Sequence, residues 1–160
     1  MVSAIVLYGV AFVPARADNL ARQWALCRQD DGDGQIRACT AVIRASRDSR
    51  DALARAFFNR GRAWSGLGDT ARAVQDLTQA IGFEPNYPDA FNSRGVAFAS
   101  QGLYDRAIED FGQAVRLDRN FAIALYNRAL ALQSLGRTAE ADQDFEKARQ
   151  AGPRLMEPKE

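Results

Sequence analysis

Small and apolar residues recur with helical spacing on both sides of a glycine in the middle of the chain. Before Gly102, the residues Phe91, Gly95 and Phe98 stand four and three positions apart, which is the spacing of one helix face. The same spacing returns after the glycine at Ala107, Phe111 and Ala114. The pattern predicts two amphipathic helices joined by a turn at Gly102, which together form an antiparallel hairpin.

This hairpin pattern repeats every 34 residues. The recurrences include Gly68, Gly102 and Gly136; Ala73, Ala107 and Ala141; Asp76, Asp110 and Asp144; and Ala80, Ala114 and Ala148. Ungapped units therefore run over 54–87, 88–121 and 122–155. Because a helical hairpin can bury its apolar face only against its neighbours, the period predicts an all-α solenoid of stacked hairpins.

Counting within a unit shows which positions face each other. The small or bulky apolar positions are 4, 8 and 11 before the turn and 17, 20 and 24 after it. The pairs 4/24, 8/20 and 11/17 are each equidistant from a turn near position 14. Glycine or alanine at 8 and alanine at 20 allow the two helices to approach closely, and larger side chains at 4, 11 and 24 fill the space elsewhere.

The units resemble the tetratricopeptide repeat (TPR). The matching residues are Phe57, Gly61, Trp64, Ala73, Leu77, Ala80 and Pro85 in the first unit; Phe91, Gly95, Phe98, Ala107, Phe111 and Ala114 in the second; and Leu125, Ala129, Leu132, Ala141, Phe145, Ala148 and Pro153 in the third. Two departures are Leu77 in place of an aromatic residue and Arg119 in place of proline. The resemblance implies a right-handed superhelical solenoid of antiparallel helix pairs, made of three TPR units and a degenerate N-terminal hairpin.

The resemblance also implies that a peptide or protein partner binds the concave face, which the first helices line. The implied groove residues are Arg55, Phe58, Asn59, Arg62, Asn92, Val96, Ile123, Tyr126, Asn127 and Leu130. Asn59 and Asn127 are expected to hold a ligand backbone, and Phe58 and Tyr126 to supply apolar contact. Relatives that grip the C-terminal carboxylate of chaperones need basic residues in the groove, and Phe58, Ser93 and Ile123 stand at such positions here. The sequence therefore predicts against that specific role.

The same register extends backwards into a degenerate unit at 20–53, which belongs to a predicted helical hairpin at 18–53. Cys27 falls on position 8 and Cys39 on position 20, the pair of closest approach, so we expect a disulfide between them. The alternative is two buried thiols in a cytosolic protein. Between the cysteines, the acidic run 30–34 has the look of a calcium loop, but Gln29 and Thr40 occupy the ends where acidic ligands belong. We expect a polar turn followed by a helix N-terminus, and no metal site.

An Arg and an Asp face each other across each full unit. The pairs are Arg60 with Asp76, Arg94 with Asp110, and Arg128 with Asp144. A recurring arginine suggests either ligand binding or a structural ion pair. The second reading is preferred, because a charge at a helix interface is costly unless it is paired. The degenerate unit has Leu26 and Val42 at these positions, so both charges are absent together.

The N-terminal segment carries an apolar run of ten residues at 4–13, followed by Ala15-Arg16-Ala17. A short apolar core before a small-x-small motif is typical of a secretory signal peptide, here 1–17 with cleavage after Ala17. The n-region lacks basic residues, so an ordinary apolar helix is the alternative. We expect a periplasmic or secreted bacterial protein with no stable membrane insertion after cleavage.

The composition argues against several classes of function. Lys plus Arg is 21 and Asp plus Glu is 20, which argues against a nucleic-acid partner. No histidine is present, which excludes Ser-His-Asp catalysis and histidine-ligated metals. We therefore expect no enzyme and no cofactor, but an adaptor or scaffold in the bacterial envelope. The alternative is a self-associating homo-oligomer, because the last hairpin, followed by the tail 156–160, lacks a capping helix and is expected to expose Phe145.

Overall fold

A computed structural model of the chain describes residues 15–29, 32–46 and 49–152, and these residues form eight helices and no strand. The helices are α1 (Ala15–Cys27), α2 (Asp33–Ala45), α3 (Arg50–Gly66), α4 (Thr70–Phe83), α5 (Pro88–Ser100), α6 (Tyr104–Leu117), α7 (Ala122–Ser134) and α8 (Thr138–Ala151). Most of the predicted signal segment, the Asp30-Asp31 pair and the C-terminal tail lie outside the described residues. The all-α solenoid predicted from the period is confirmed.

The helices pair into four hairpins that stack in chain order. Each helix packs against the next one along the chain. The first helices of neighbouring hairpins also touch, α1 with α3, α3 with α5, and α5 with α7. This mutual contact places the four first helices side by side, so they form the inner face of the stack.

The glycines that mark the 34-residue period form the turns inside the hairpins. Gly68, Gly102 and Gly136 have φ angles of 79°, 74° and 73°, and Gly32 has 63° in the degenerate hairpin. Only glycine adopts this left-handed conformation without strain, and it ends the first helix of each hairpin sharply. A second helix then starts within two residues, at Thr70, Tyr104 and Thr138 in the three full units.

Side chains at positions 8, 20 and 24 set how closely the two helices of a hairpin pack. A Cβ atom on Gly61 would stand 2.8 Å from Cγ of Leu77, so these residues meet without room for a methyl group. Leu77 and Ala73 are fully buried in this contact. A Cβ atom on Gly61 would also stand 3.3 Å from the carbonyl oxygen of Ala73, so positions 8 and 20 of this hairpin lie as close together as the counting predicted.

The third full hairpin differs from the other two at position 8, and Phe145 in it is less exposed than expected. Ala129 replaces glycine at position 8, and Phe145 is half-buried rather than exposed. The Phe145 ring meets the edge of Tyr126 at a centroid distance of 5.5 Å. The outer side of α8 carries polar residues joined in pairs, including Arg149 with Glu146 at 2.7 Å. The outer face of the last described helix is therefore polar, and the Phe145 ring is partly covered by Tyr126.

The N-terminal hairpin has the predicted disulfide. Sγ of Cys27 and Sγ of Cys39 are 2.08 Å apart, with their Cα atoms at 4.7 Å. Both residues are fully buried, and they pack with Val42, Ala38 and Ala56. Because Ala56 belongs to α3, this small core also joins the degenerate hairpin to the first full repeat.

The helix that follows begins earlier than the predicted unit boundary at residue 54. α3 begins at Arg50, and its first turn is capped by Ser49, whose hydroxyl accepts a hydrogen bond from the N–H of Ala52 at 3.3 Å. The Arg50 guanidinium donates to the carbonyl oxygens of Gly82 and Phe83 at 3.2 and 3.0 Å. These bonds satisfy free carbonyls at the end of α4, so the early start of α3 stabilises its own hairpin.

Candidate binding groove on the first helices

The recurring arginines are engaged inside the hairpins. Each donates from Nε and Nη2 to both carboxylate oxygens of the Asp at position 23 of its own unit. The Nε–Oδ2 distances are 2.7 Å for Arg60 with Asp76, 2.8 Å for Arg94 with Asp110 and 2.6 Å for Arg128 with Asp144. All three carboxylates are buried, so these fork-like pairs satisfy charges that the hairpin interface encloses. The structure thus assigns the arginines to hairpin closure and leaves them outside the groove.

The same arginines also link neighbouring hairpins, which sequence reasoning missed. Nη1 of Arg60 donates to the hydroxyl of Thr40 at 2.9 Å, and Nη1 of Arg94 donates to that of Thr78 at 3.1 Å. Beside Arg128, the residue that corresponds to Thr78 is Gly112, which has no hydroxyl to accept such a bond. The threonines sit at two different unit positions, 21 and 25, so the period gave no signal for them.

The ten groove residues predicted from the sequence all lie on α3, α5 and α7, which belong to the inner face. Val96, Ile123 and Leu130 are 40%, 45% and 41% exposed. Arg55 and Arg62 are exposed as well. The remaining five are half-buried: Phe58, Asn59, Asn92, Tyr126 and Asn127. The set therefore combines side chains that are open to a partner with side chains that also support the fold.

The asparagines are partly occupied by contacts within the protein. Nδ2 of Asn127 donates to Oδ1 of Asn92 at 3.0 Å, which bridges α7 and α5. Nδ2 of Asn59 lies 3.9 Å from Sγ of Cys27, a weak sulfur acceptor. Asn127 thus keeps its carbonyl oxygen and one N–H for a ligand, fewer than the sequence suggested.

The two groove aromatics pack against other rings. Phe58 lies 4.8 Å from the ring of Tyr87, measured between centroids, and the Arg62 guanidinium lies 5.8 Å from the Phe58 centroid. Tyr126 packs edge-on against Phe145. These rings form part of the groove wall, and each packs against a ring outside its own helix, Tyr87 directly before α5 and Phe145 on α8.

An apolar pocket lies between α5 and α7. Its volume is about 260 Å³. Val96 and Leu130 stand on its two sides, and the buried ring of Phe111 contributes to its lining. The other lining residues are Ala99, Ser100, Tyr104, Asn127, Ala131 and Ser134. The pocket contains no charged side chain, so it offers a place for an aliphatic group.

A second, polar pocket of about 330 Å³ lies between α1 and α3, at the opposite end of the groove. It is lined by Trp24, Arg28, Asp51, Ala52, Arg55 and Asn59. The hydrogen bond that Arg55 donates to Asp51, together with the charge of that carboxylate, raises the pKa of Arg55 and keeps the guanidinium charged. Sequence reasoning found Arg55 and Asn59 but missed Trp24 and Arg28. The signal was available, because these residues occupy groove positions 5 and 9 of the degenerate unit.

In the described part of the chain, no group of three or more His, Cys, Asp or Glu side chains is placed to hold a metal ion. None of the helices described is both long enough and apolar enough to cross a membrane.

Comparison with known families settles what the hairpins are. Family models described as tetratricopeptide or TPR repeats match residues 54–87, 97–136 and 121–152. These hairpins are tetratricopeptide repeats. The first TPR match covers the same residues as the first unit of the 34-residue period. A search of curated protein sequences found no match to the chain.

Three solved structures, two of them of TPR domains, have a similar fold. The second TPR domain of human RPAP3, in complex with the HSP70 peptide SGPTIEEVD, is 28% identical with a TM-score of 0.64, and the match covers 66% of this chain and 88% of that one. The Arabidopsis OM64 TPR domain is 24% identical with a TM-score of 0.65, over 66% and 88%. MamA is 21% identical with a TM-score of 0.60, over 90% and 98%.

Proposed function

We propose that the protein is an adaptor that binds a peptide segment of another protein in the groove formed by its first helices. The observation that carries the proposal is the exposure of Val96, Ile123 and Leu130 on that inner face. The hairpins close without these side chains, so their apolar surface is available to a partner. The similar TPR domain of RPAP3, 28% identical, holds a peptide, which supports the same use of the fold here.

A catalytic role has little support. The buried carboxylates Asp76, Asp110 and Asp144 are each held by an arginine at 2.8 Å or less. The chain has no histidine, so the most common general base is absent. We therefore assign the protein to binding and not to chemistry.

We further propose that the adaptor works in the bacterial envelope. The apolar run at 4–13 and the Ala15-Arg16-Ala17 motif support export, and the buried disulfide supports an oxidising compartment. Expression of the full chain in a bacterium with an intact export system tests this. We expect periplasmic protein whose mass corresponds to a first residue of Asp18. Full-length protein confined to the cytoplasm would overturn the envelope assignment and leave the binding function standing.

The binding proposal is tested by capture of partners on immobilised protein from an extract of the source cells. The groove variant is Val96→Asp/Leu130→Asp. Its matched control is Leu103→Asp/Leu135→Asp, which changes two leucines of nearly equal exposure, 40% each, outside the first helices. We expect the wild type and the control to retain the same partner and the groove variant to lose it. Equal retention by all three proteins would show that the groove is not the binding surface.

The same proteins test the alternative of self-association. The polar outer face of α8 argues against an assembly built on the last hairpin. Sedimentation velocity of the wild type at rising concentration is expected to show a monomer throughout. A concentration-dependent oligomer that persists in the groove variant would favour the structural role instead.

A further inference from the structure

One residue from each of the four hairpins falls on the same register of the groove, at position 9 of its unit. These residues are Arg28, Arg62, Val96 and Leu130, separated by 34 residues each. All four are exposed. Arg62, Val96 and Leu130 lie on α3, α5 and α7, and Arg28 lies in the turn directly after α1, where it lines the polar pocket with Arg55. These four residues are called the inner row below. Its first two members are guanidinium groups and its last two are aliphatic.

The arginine half of the inner row is available to a ligand. Neither Arg28 nor Arg62 forms an ion pair with any residue in the part of the chain that the structure describes. Arg28 lines the polar pocket beside Arg55, whose charge is offset by Asp51. The ring of Phe58 lies beneath the Arg62 guanidinium, which favours an outward-facing charge.

One acidic groove residue, Asp89, must be weighed against these two charges. It is exposed near the start of α5, seven residues before Val96. Seven residues are about 10 Å along a helix, so Asp89 lies well away from the level of the inner row. Among the described groove residues at this end, Arg28, Arg55 and Arg62 outnumber Asp51, which gives a local excess of positive charge, although the chain as a whole is nearly neutral, with a net charge of +1.

The aliphatic half ends in the apolar pocket. Val96 and Leu130 form two sides of this 260 Å³ space, and Ala99, Ala131 and the Phe111 ring add apolar surface. The two halves offer opposite chemistry at fixed places along one line. A single peptide segment lying across the four first helices would meet both halves.

We propose that the groove selects extended segments that carry acidic side chains at one end and an aliphatic side chain at the other. This inference rests on the proposed function and specifies its ligand. Neighbouring helix axes lie about 10 Å apart, so four first helices span about 30 Å, or roughly nine extended residues. The Asp or Glu side chains lie against Arg28 and Arg62, and a Leu, Ile, Val or Met side chain enters the apolar pocket. The recognised carboxylates belong to side chains and not to a chain terminus.

Selection from a library of displayed peptides tests the inference. The library has nine randomised residues with fixed residues on both sides, so that no terminal carboxylate is present. On the wild type we expect enrichment of acidic residues at one end and aliphatic residues at the other. With Arg28→Gln/Arg62→Gln, the acidic enrichment is expected to disappear and the aliphatic one to persist. With Val96→Ser/Leu130→Ser, the aliphatic enrichment is expected to disappear and the acidic one to persist.

A synthetic peptide of the selected sequence, amidated at its C-terminus and labelled for fluorescence anisotropy, gives the affinities. We expect binding to weaken by about tenfold or more in Arg28→Gln/Arg62→Gln, and to weaken with added salt only where both arginines are present. Arg44→Gln/Arg119→Gln removes two exposed arginines outside the first helices and is expected to leave the affinity unchanged.

The outcomes separate this inference from the function on which it rests. Selected peptides without an acidic end, whose binding is nevertheless lost in Val96→Ser/Leu130→Ser, would overturn the inference and leave the adaptor function intact. Binding that requires a free terminal carboxylate would also overturn it. Failure of the wild type to select any peptide would count against both the inference and the proposed groove.

Discussion

Gly95 and Phe111 meet so closely that a Cβ atom at residue 95 would stand 2.7 Å from Cε1 of the Phe111 ring. The ring is almost fully buried between α5 and α6. In the second full hairpin, formed by α5 and α6, the Phe111 ring therefore packs directly against the backbone of Gly95. A glycine on the other helix of this hairpin, Gly112, has 3.6 Å to its nearest neighbours and no such constraint.

This difference predicts opposite effects of the same substitution. Gly95→Ala is expected to lower the free energy of unfolding by about 1–3 kcal/mol, because the added methyl group must displace a buried ring. Gly112→Ala is expected to raise it by about 0.5–1 kcal/mol, because alanine is the better residue inside a helix and the space is open. Urea unfolding followed by circular dichroism gives both values. A destabilised Gly112→Ala protein would contradict the packing described here.

The ion pair of Arg94 and Asp110 predicts a marked failure of additivity. Asp110→Val leaves a partly buried guanidinium without its partner and is expected to lower the free energy of unfolding by about 3 kcal/mol. Arg94→Leu/Asp110→Val is expected to be the more stable of the two variants, because the N-terminal hairpin already carries Leu26 and Val42 at these places. Arg94→Leu completes the cycle, and equality between the double-variant change and the sum of the two single-variant changes would show that the two charges are not coupled.

The buried disulfide predicts a local effect on stability. Cys27→Ala/Cys39→Ala is expected to cost the N-terminal hairpin about 2–3 kcal/mol, the value of a closed loop of a dozen residues. The three full repeats should keep their protection, since each hairpin contacts only its neighbours. Hydrogen exchange read by mass spectrometry checks this. Faster exchange throughout 54–152 would mean that the stack unfolds as one unit.

Tyr87 predicts a loss of stability at high pH. Burial, with a smaller contribution from Asp89, raises the pKa of its hydroxyl to about 12. The unfolded chain loses this proton near pH 10, before the folded protein does. The stabilising contribution is therefore complete below pH 10 and is lost as the pH rises through about 12. Between pH 9 and pH 11.5, the urea concentration at the midpoint of unfolding should fall further for the wild type than for Tyr87→Phe. An equal fall in both proteins would refute the assignment.

The sequence was enough to predict the hairpins because the period reports facing positions directly. Position counting placed Cys27 opposite Cys39 and Arg94 opposite Asp110, and the structure brings both pairs together. Each of these contacts lies within one unit, where the turn glycine determines the register. The same counting also identified which residues lie on the first helices.

Contacts between hairpins were harder to predict. The bond from Asn127 to Asn92 and the bonds from Arg60 and Arg94 to threonines depend on the angle between neighbouring hairpins. The 34-residue period carries no information about that angle. Phe145 is less exposed than expected because its ring packs against Tyr126 of α7, a contact that the prediction did not include.

Photo-crosslinking from single groove positions tests the central claim most directly. Benzoylphenylalanine is placed at residue 130 in the groove or at residue 135, where Leu135 has nearly the same exposure outside it. Irradiation in an extract of the source cells is expected to join a partner to the protein labelled at 130 and not to the one labelled at 135. Adducts from 135 alone, or from neither position, would contradict the account of the groove as the binding surface.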